Sequence, residues 1–214
     1  MGKILILDIG FGNIRSIYNA IGYVSGSGHS VELSKDPNSI PLAERIIING
    51  VGSFPECRRK LDSSGLLENL LRSIENGKPL LGICVGMQIL ATKGLEFKPT
   101  LGLNIIPGLV RKFKLNNINN EYNSPMKLPH VGWNKINEIK SPLFSNIDNN
   151  SYLYFVHSYI FQEKNHDVVV AKSKYGENFT SAVLKDNVFG VQFHPERSGE
   201  VGLKILENFI HWKP

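Results

Sequence analysis

The chain has 214 residues, 42% hydrophobic and 20% charged, which is ordinary for a folded globular protein and excludes a disordered or fibrous class. Its net charge of +5 raises the question of a nucleic-acid partner, but the Lys and Arg residues are scattered and never form a basic block interleaved with aromatics, so none is expected. No apolar run nears the roughly 20 residues that span a bilayer, and Met1-Gly2-Lys3 leads into a strand-like run where a signal peptide would have its charged and apolar regions.

These features predict a cytoplasmic protein without membrane contact. The length favours one domain over residues 1–214. Cys57 and Cys84 form no CxxC pattern, which argues against a disulfide framework or thiolate zinc site; no metal or cofactor is expected.

Lys3 to Ile9 (KILILDI) is a β-branched run of strand length, followed by Gly10-Phe11-Gly12 and a helical stretch from Asn13 to about Val24. Further short apolar runs lie at Ser30–Leu33, Arg45–Ile48 and Leu80–Ile83, with helical pieces from Phe54 to Asn76 interrupted near Gly65. Strands alternating with helices imply crossovers and a mostly parallel sheet covered on both faces.

After Gly94 short segments replace this alternation: Leu109–Phe113, His130–Ile139, Tyr152–Tyr159, Val168–Lys174 and Thr180–Phe193. Within the last, Asp186-Asn187 reads as a turn between antiparallel strands. Asn116 to Asn123 (NNINNEYN) reads as an exposed loop. A final helix runs from Ser198, a plausible N-cap, to about Trp212, with Val201, Ile205, Phe209 and Trp212 on one stripe.

Chemistry is concentrated in Leu80 to Leu90, LLGICVGMQIL. An apolar strand meets Cys84 between Gly82 and Gly86 and then an amphipathic helix, the layout of a nucleophile elbow whose tight turn needs small neighbours. A helix beginning behind the thiol favours the thiolate through its dipole. The competing reading of Cys84 is a buried, inert cysteine at a strand end.

A thiolate also needs a base, and the base an orienting group. Phe193-His194-Pro195-Glu196 offers both if Pro195 keeps the segment extended, so that His194 and Glu196 share a side. Gly10-Phe11-Gly12 is no dinucleotide fingerprint, because Arg15 stands where the third glycine would be.

LGICVGMQ and QFHPE together resemble the class I glutamine amidotransferases. DIGFGNIRS, GVGSF, PHVGWN, YFVHSY and HPERSGEVGLKILENF, in order over nearly the whole chain, narrow the resemblance to the glutaminase subunits of imidazole glycerol phosphate synthase. The resemblance implies an α/β fold: a flavodoxin-like, mostly parallel sheet with helices on both faces plus a smaller mixed or antiparallel sheet.

It implies hydrolysis of L-glutamine to glutamate and ammonia by Cys84, His194 and Glu196 through a thioester. Oxyanion donors fall at Val51, Gly52 and Val85, and substrate contacts at Gly52, Gln88, His157, Ser158 and Tyr159. It also implies a heterodimer with a (β/α)8 cyclase that receives the ammonia for histidine biosynthesis, with Asn13, Trp133, Tyr159 and Arg197 near the interface.

The chain departs from the family's usual residues at Asn49, where proline precedes GVG, at Ile9 within DIG, where DYG is usual, and at Arg197, where lysine is usual. These departures leave open a paralogue serving a sugar-modifying synthase of surface polysaccharide. A non-catalytic binding subunit on the same fold is the alternative of another class.

Overall fold

The computed structural model describes residues 2–10, 13–115 and 125–214. The first half alternates β1 (Gly2–Leu7), α1 (Ile14–Ser25), β2 (His29–Ser34), α2 (Ser39–Leu42), β3 (Arg45–Gly50), α3 (Phe54–Ser63), α4 (Leu67–Glu75), β4 (Leu80–Cys84) and α5 (Val85–Gln88). The second half is strand-rich: β5 (Lys93–Gly94), β6 (Thr100–Leu101), β7 (Gly108–Lys112), β8 (His130–Lys135), β9 (Tyr152–His157), β10 (Tyr159–Glu163), β11 (Val169–Tyr175), β12 (Glu177–Lys185) and β13 (Val188–Val191), closed by α6 (Gly199–His211).

The large sheet begins β2-β1-β3-β4-β13, all parallel, and continues antiparallel through β12, β10 and β7. This is the doubly wound order of a flavodoxin-like sheet. Every residue of β3, β4 and β13 is buried, as expected of central strands covered on both sides, which read as continuous apolar runs. The strand order steps one way at β1 to β2 and the other way at β3 to β4, so right-handed crossovers put α1 and α3–α4 on opposite faces. β8 and β9 form the separate two-stranded antiparallel sheet.

The elements follow their sequence signals closely in the first half. α1 buries Ile17, Ala20 and Ile21 at helical spacing, and Gly65, at φ +73°, separates α3 from α4. Asp186 and Asn187 join β12 to β13 in an antiparallel pair with Lys185 opposite Val188.

Two expectations are corrected and a third holds in part. Tyr152–Tyr159 is not one strand: it breaks at Ser158, β9 pairing with β8 and β10 with β7. The helix after Cys84 is a single turn buried on all sides, hence not amphipathic. Ser198 stands at the N-cap of α6 as expected, but its side chain makes no cap bond; its hydroxyl donates to the His194 carbonyl at 2.6 Å and accepts the Tyr154 N–H at 3.0 Å. The Asn116–Asn123 loop, and Phe11-Gly12 of the first turn, lie outside the described residues.

Candidate active site

The carboxyl ends of β3, β4 and β13 lie side by side, and three adjacent strands therefore empty their following residues into one crevice. β3 leads to Gly50-Val51-Gly52, with Gly50 opposite Cys84. β4 ends at Cys84, and β13 leads to Gln192, Phe193 and His194.

Cys84 turns at φ +55° and ψ −111°, a conformation that costs a non-glycine residue energy and is held by the packing around it. The turn folds α5 back onto the strand so tightly that a Cβ on Gly82 would stand 2.5 Å from the Gly86 carbonyl oxygen, and one on Gly86 would collide with the carbonyl of Ile48. These contacts explain why the residues two before and two after Cys84 are glycine.

His194 is extended, but Pro195–Arg197 forms a 3₁₀ turn. The turn, not a shared side of an extended strand, carries the Glu196 carboxylate back to the ring. The His194 Nδ1–H donates to Glu196 Oε1 at 2.9 Å, with both side chains essentially inaccessible. That leaves Nε2, buried and without another hydrogen-bond partner, for the sulfur. Burial lowers the His194 pKa, but the charge and hydrogen bonding of Cys84, then of Glu196, outweigh it and push the group up to about 10.

Cys84 and His194 line a cavity of about 250 Å³ together with Val51, Gly52, Val85, Gln88, Glu96, Pro129, Val156, His157, Ser158 and Tyr159. All the residues expected to supply oxyanion or substrate contacts are in this set; Glu196 stands behind His194, outside it. Gly52 adopts φ +112°, which glycine reaches freely, and Val85 opens a helix whose first N–H groups have no intrahelical acceptor. Cys57 is buried elsewhere, its thiol pushed up to about 12 chiefly by desolvation, so Cys84 is the thiol at the cavity.

The expected interface residues divide. Trp133 is 54% exposed and meets Tyr154 edge-on, and the Arg197 guanidinium lies over the same Tyr154 ring at 4.2 Å. Tyr159 is in the cavity wall. Asn13 is elsewhere, at the entry to α1, where its carbonyl accepts the Asn49 side-chain amide at 3.4 Å. Asn49 itself is fully buried.

Two groups at the site were missed from sequence, Glu96 in the cavity wall and Gln192 buried behind the nucleophile. Glu96 lies in a short segment with no motif; its carboxylate accepts the Phe54 N–H at 2.7 Å, and burial raises its pKa against that bond. Gln192 is visible in QFHPE but carries no titratable group to draw attention. Its amide nitrogen points at the Cys84 sulfur at 3.6 Å. Among the described residues no group of three or more His, Cys, Asp or Glu side chains could hold a metal ion, and no helix is long and apolar enough to cross a membrane.

The family described as glutamine amidotransferase class-I matches residues 5–212. The chain is 42% identical to the imidazole glycerol phosphate synthase subunit HisH of Syntrophotalea carbinolica, over 96% of this chain and 98% of that protein. It is 43% identical to the subunit of the same name from Pelagibacter ubique, over 98% and 99%. A solved glutamine amidotransferase superposes with a TM-score of 0.72, covering 96% of this chain and 98% of that one at 16% identity, a likeness of fold.

Proposed function

Because the chain belongs to the class-I glutamine amidotransferases, within the branch of the imidazole glycerol phosphate synthase glutaminases, we propose that Cys84, His194 and Glu196 are its catalytic groups. It is a glutamine-hydrolysing enzyme of histidine biosynthesis. The observation that carries the assignment is the convergence of Cys84 and His194 on one cavity, with Glu196 hydrogen-bonded to the far nitrogen of the ring.

The Cys84 sulfur attacks the side-chain carbonyl carbon of glutamine, and the carbonyl oxygen takes up the negative charge. N–H groups at Val51, Gly52 and Val85 stabilise that oxyanion; one such donor is worth a few kcal/mol, about 10²–10³ in rate. The protonated His194, oriented by Glu196, gives its proton to the departing nitrogen, and ammonia leaves a glutamyl thioester. Water then attacks the thioester, His194 takes a proton from it, and glutamate departs as the sulfur is restored.

Gln88, Gly52 and the backbone of His157-Ser158-Tyr159 hold the substrate, and the Glu96 carboxylate faces its α-ammonium. The occupant fits the site: the volume of about 250 Å³ suits an amino acid rather than a larger ligand.

The partner is a (β/α)8 cyclase bound as a heterodimer, which uses the ammonia to form imidazole glycerol phosphate and AICAR. The exposed side of the β8–β9 ribbon is its docking surface, where Val131, Trp133 and Tyr152 are each more than half exposed and Arg197 flanks them. Aromatic and Arg side chains of this kind dominate binding energy at interfaces. The two unpaired cysteines suit a reducing cytoplasm.

A glutamine-analogue electrophile should attach to Cys84 of the purified complex, and Cys84→Ala should abolish both labelling and glutamine hydrolysis while ammonia added directly still supports the partner's reaction. Labelling at Cys57, or glutaminase activity surviving in the variant, would overturn the assignment.

A further inference from the structure

Around the nucleophile runs a hydrogen-bonded chain whose donor directions are settled by the carbonyls that anchor it. The Tyr159 carbonyl can only accept, so Gln88 turns its amide nitrogen to it, at 3.1 Å. The same nitrogen lies 2.9 Å from the Gln192 side chain; with Gln88 donating, the Gln192 atom there must be its oxygen. The amide nitrogen of Gln192 is then the group facing the Cys84 sulfur at 3.6 Å. Gln192 is wholly buried and Gln88 nearly so.

The Tyr159 carbonyl is itself fixed from the other side. It accepts the His157 Nδ1–H at 2.9 Å, and His157 Nε2 therefore accepts from His130 Nδ1 at 3.1 Å. His130 Nε2 in turn accepts from Asn134, whose amide nitrogen also donates to the Lys174 carbonyl. Each ring has one donor and one acceptor used, as neutral imidazoles allow.

We propose that Gln192 is a positioning residue of the hydrolysis, which locks the Gln88 amide with its oxygen and holds an N–H on the Cys84 sulfur with its nitrogen. The proposal rests on Cys84 being the nucleophile. An N–H directed at sulfur favours the anionic form that attacks, a charge-assisted bond stronger than a neutral one. Both hydrogens of Gln88 are committed to protein acceptors, so what Gln88 offers a substrate is its carbonyl oxygen. Releasing Gln192 would let the Gln88 amide turn and lose that orientation.

Two substitutions separate the two halves of the role. Gln192→Glu keeps an acceptor for Gln88 and removes the N–H from the sulfur. Gln192→Met keeps the length and the apolar packing and removes both. In the complex with the synthase partner, iodoacetamide alkylation of Cys84 at fixed neutral pH should slow about tenfold to a hundredfold in both variants, the range expected for a hydrogen bond to a charged group. The loss should shrink as the pH is raised.

KM for glutamine should rise several-fold in Gln192→Met and stay near the parental value in Gln192→Glu. A role confined to core packing would lower the melting temperature and leave alkylation and its pH dependence alone. Parental alkylation rates in either folded variant, or equal KM changes in both, would overturn the proposal. If the parental protein itself is not labelled at Cys84 by a glutamine-analogue electrophile, the glutaminase assignment is what fails.

Discussion

Glu196 is buried to the last oxygen, and its Oε2 has no hydrogen-bond partner. Burying a carboxylate is costly unless a cation or donors face it, and here the His194 ring meets that need through one bond. The same bond fixes which ring nitrogen faces Cys84. Glu196→Gln keeps the shape but lets the ring adopt the wrong tautomer, so kcat should fall about 10²–10⁴-fold with KM for glutamine little changed. Steady-state kinetics of the complex measure that split, and a matching rise in KM would point instead to a collapsed cavity.

Cys84 and His194 were legible in sequence from the motifs that hold them, and Glu196 from its place two residues after His194, although a 3₁₀ turn and not an extended segment brings its carboxylate to the ring. Glu96 and Gln192 were not. Their roles come from tertiary approach, across the sheet or from a neighbouring strand end, which local patterning does not encode.

At the level of elements, the ribbon of β8 and β9 presents two unlike faces. His130, Leu153, Phe155 and His157 point inward and are buried, while Val131, Trp133 and Tyr152 point outward. The period of two in a strand divides them. Because Trp133 contributes little to the core, Trp133→Ala should leave the melting temperature within a few degrees of the parent while weakening partner binding by about 2 kcal/mol or more. Isothermal titration against the synthase partner reads this directly, and unchanged affinity would move the interface elsewhere.

The alternation that makes the ribbon legible also misled at its end. YFVHSY reads as one strand through Tyr159, but Ser158 breaks it, so that His157 and Tyr159 serve different sheets. Nothing in the hydrophobic pattern marks where a chain changes sheets. The one-turn α5 escaped for a related reason: VGMQIL is buried all round, its one polar side chain, Gln88, included, and a short buried segment offers no amphipathic stripe by which to measure its length.

Across the whole molecule, buried histidines make stability depend on pH in two opposite senses. Desolvation holds His130 down at about 4 and His157 at about 3, from an ordinary 6.5. Both are neutral when folded and take up protons when the chain unfolds, so acid favours the unfolded state. Their contribution is complete above 6.5 and is lost as the pH falls from 6.5 toward 4. His194 has the opposite sign. Raised to about 10, its proton is bound more tightly in the folded state, and the stability this provides is present below 6.5 and lost as the pH rises from there to 10.

The paired carboxylates of Glu32, Glu56, Glu138, Glu177 and Glu207 are held below their ordinary 4.5, so their loss begins only below that pH. In the interval from 6.5 to 4.5 the histidine pair therefore dominates, at up to about 2.7 kcal/mol per pH unit for two groups that protonate on unfolding, while Glu96, raised above 4.5 by burial, binds its proton more tightly when folded and offsets part of that loss. His130→Phe keeps an aromatic ring against Tyr175 and Phe155, on which His130 now stacks, and removes one of the two titrations. Urea unfolding at pH 4.5, 5.5 and 6.5 should show a steep acid loss in the parent and roughly half that slope in the variant. A parental stability that is flat over this interval would mean that the pair is not held neutral inside the fold.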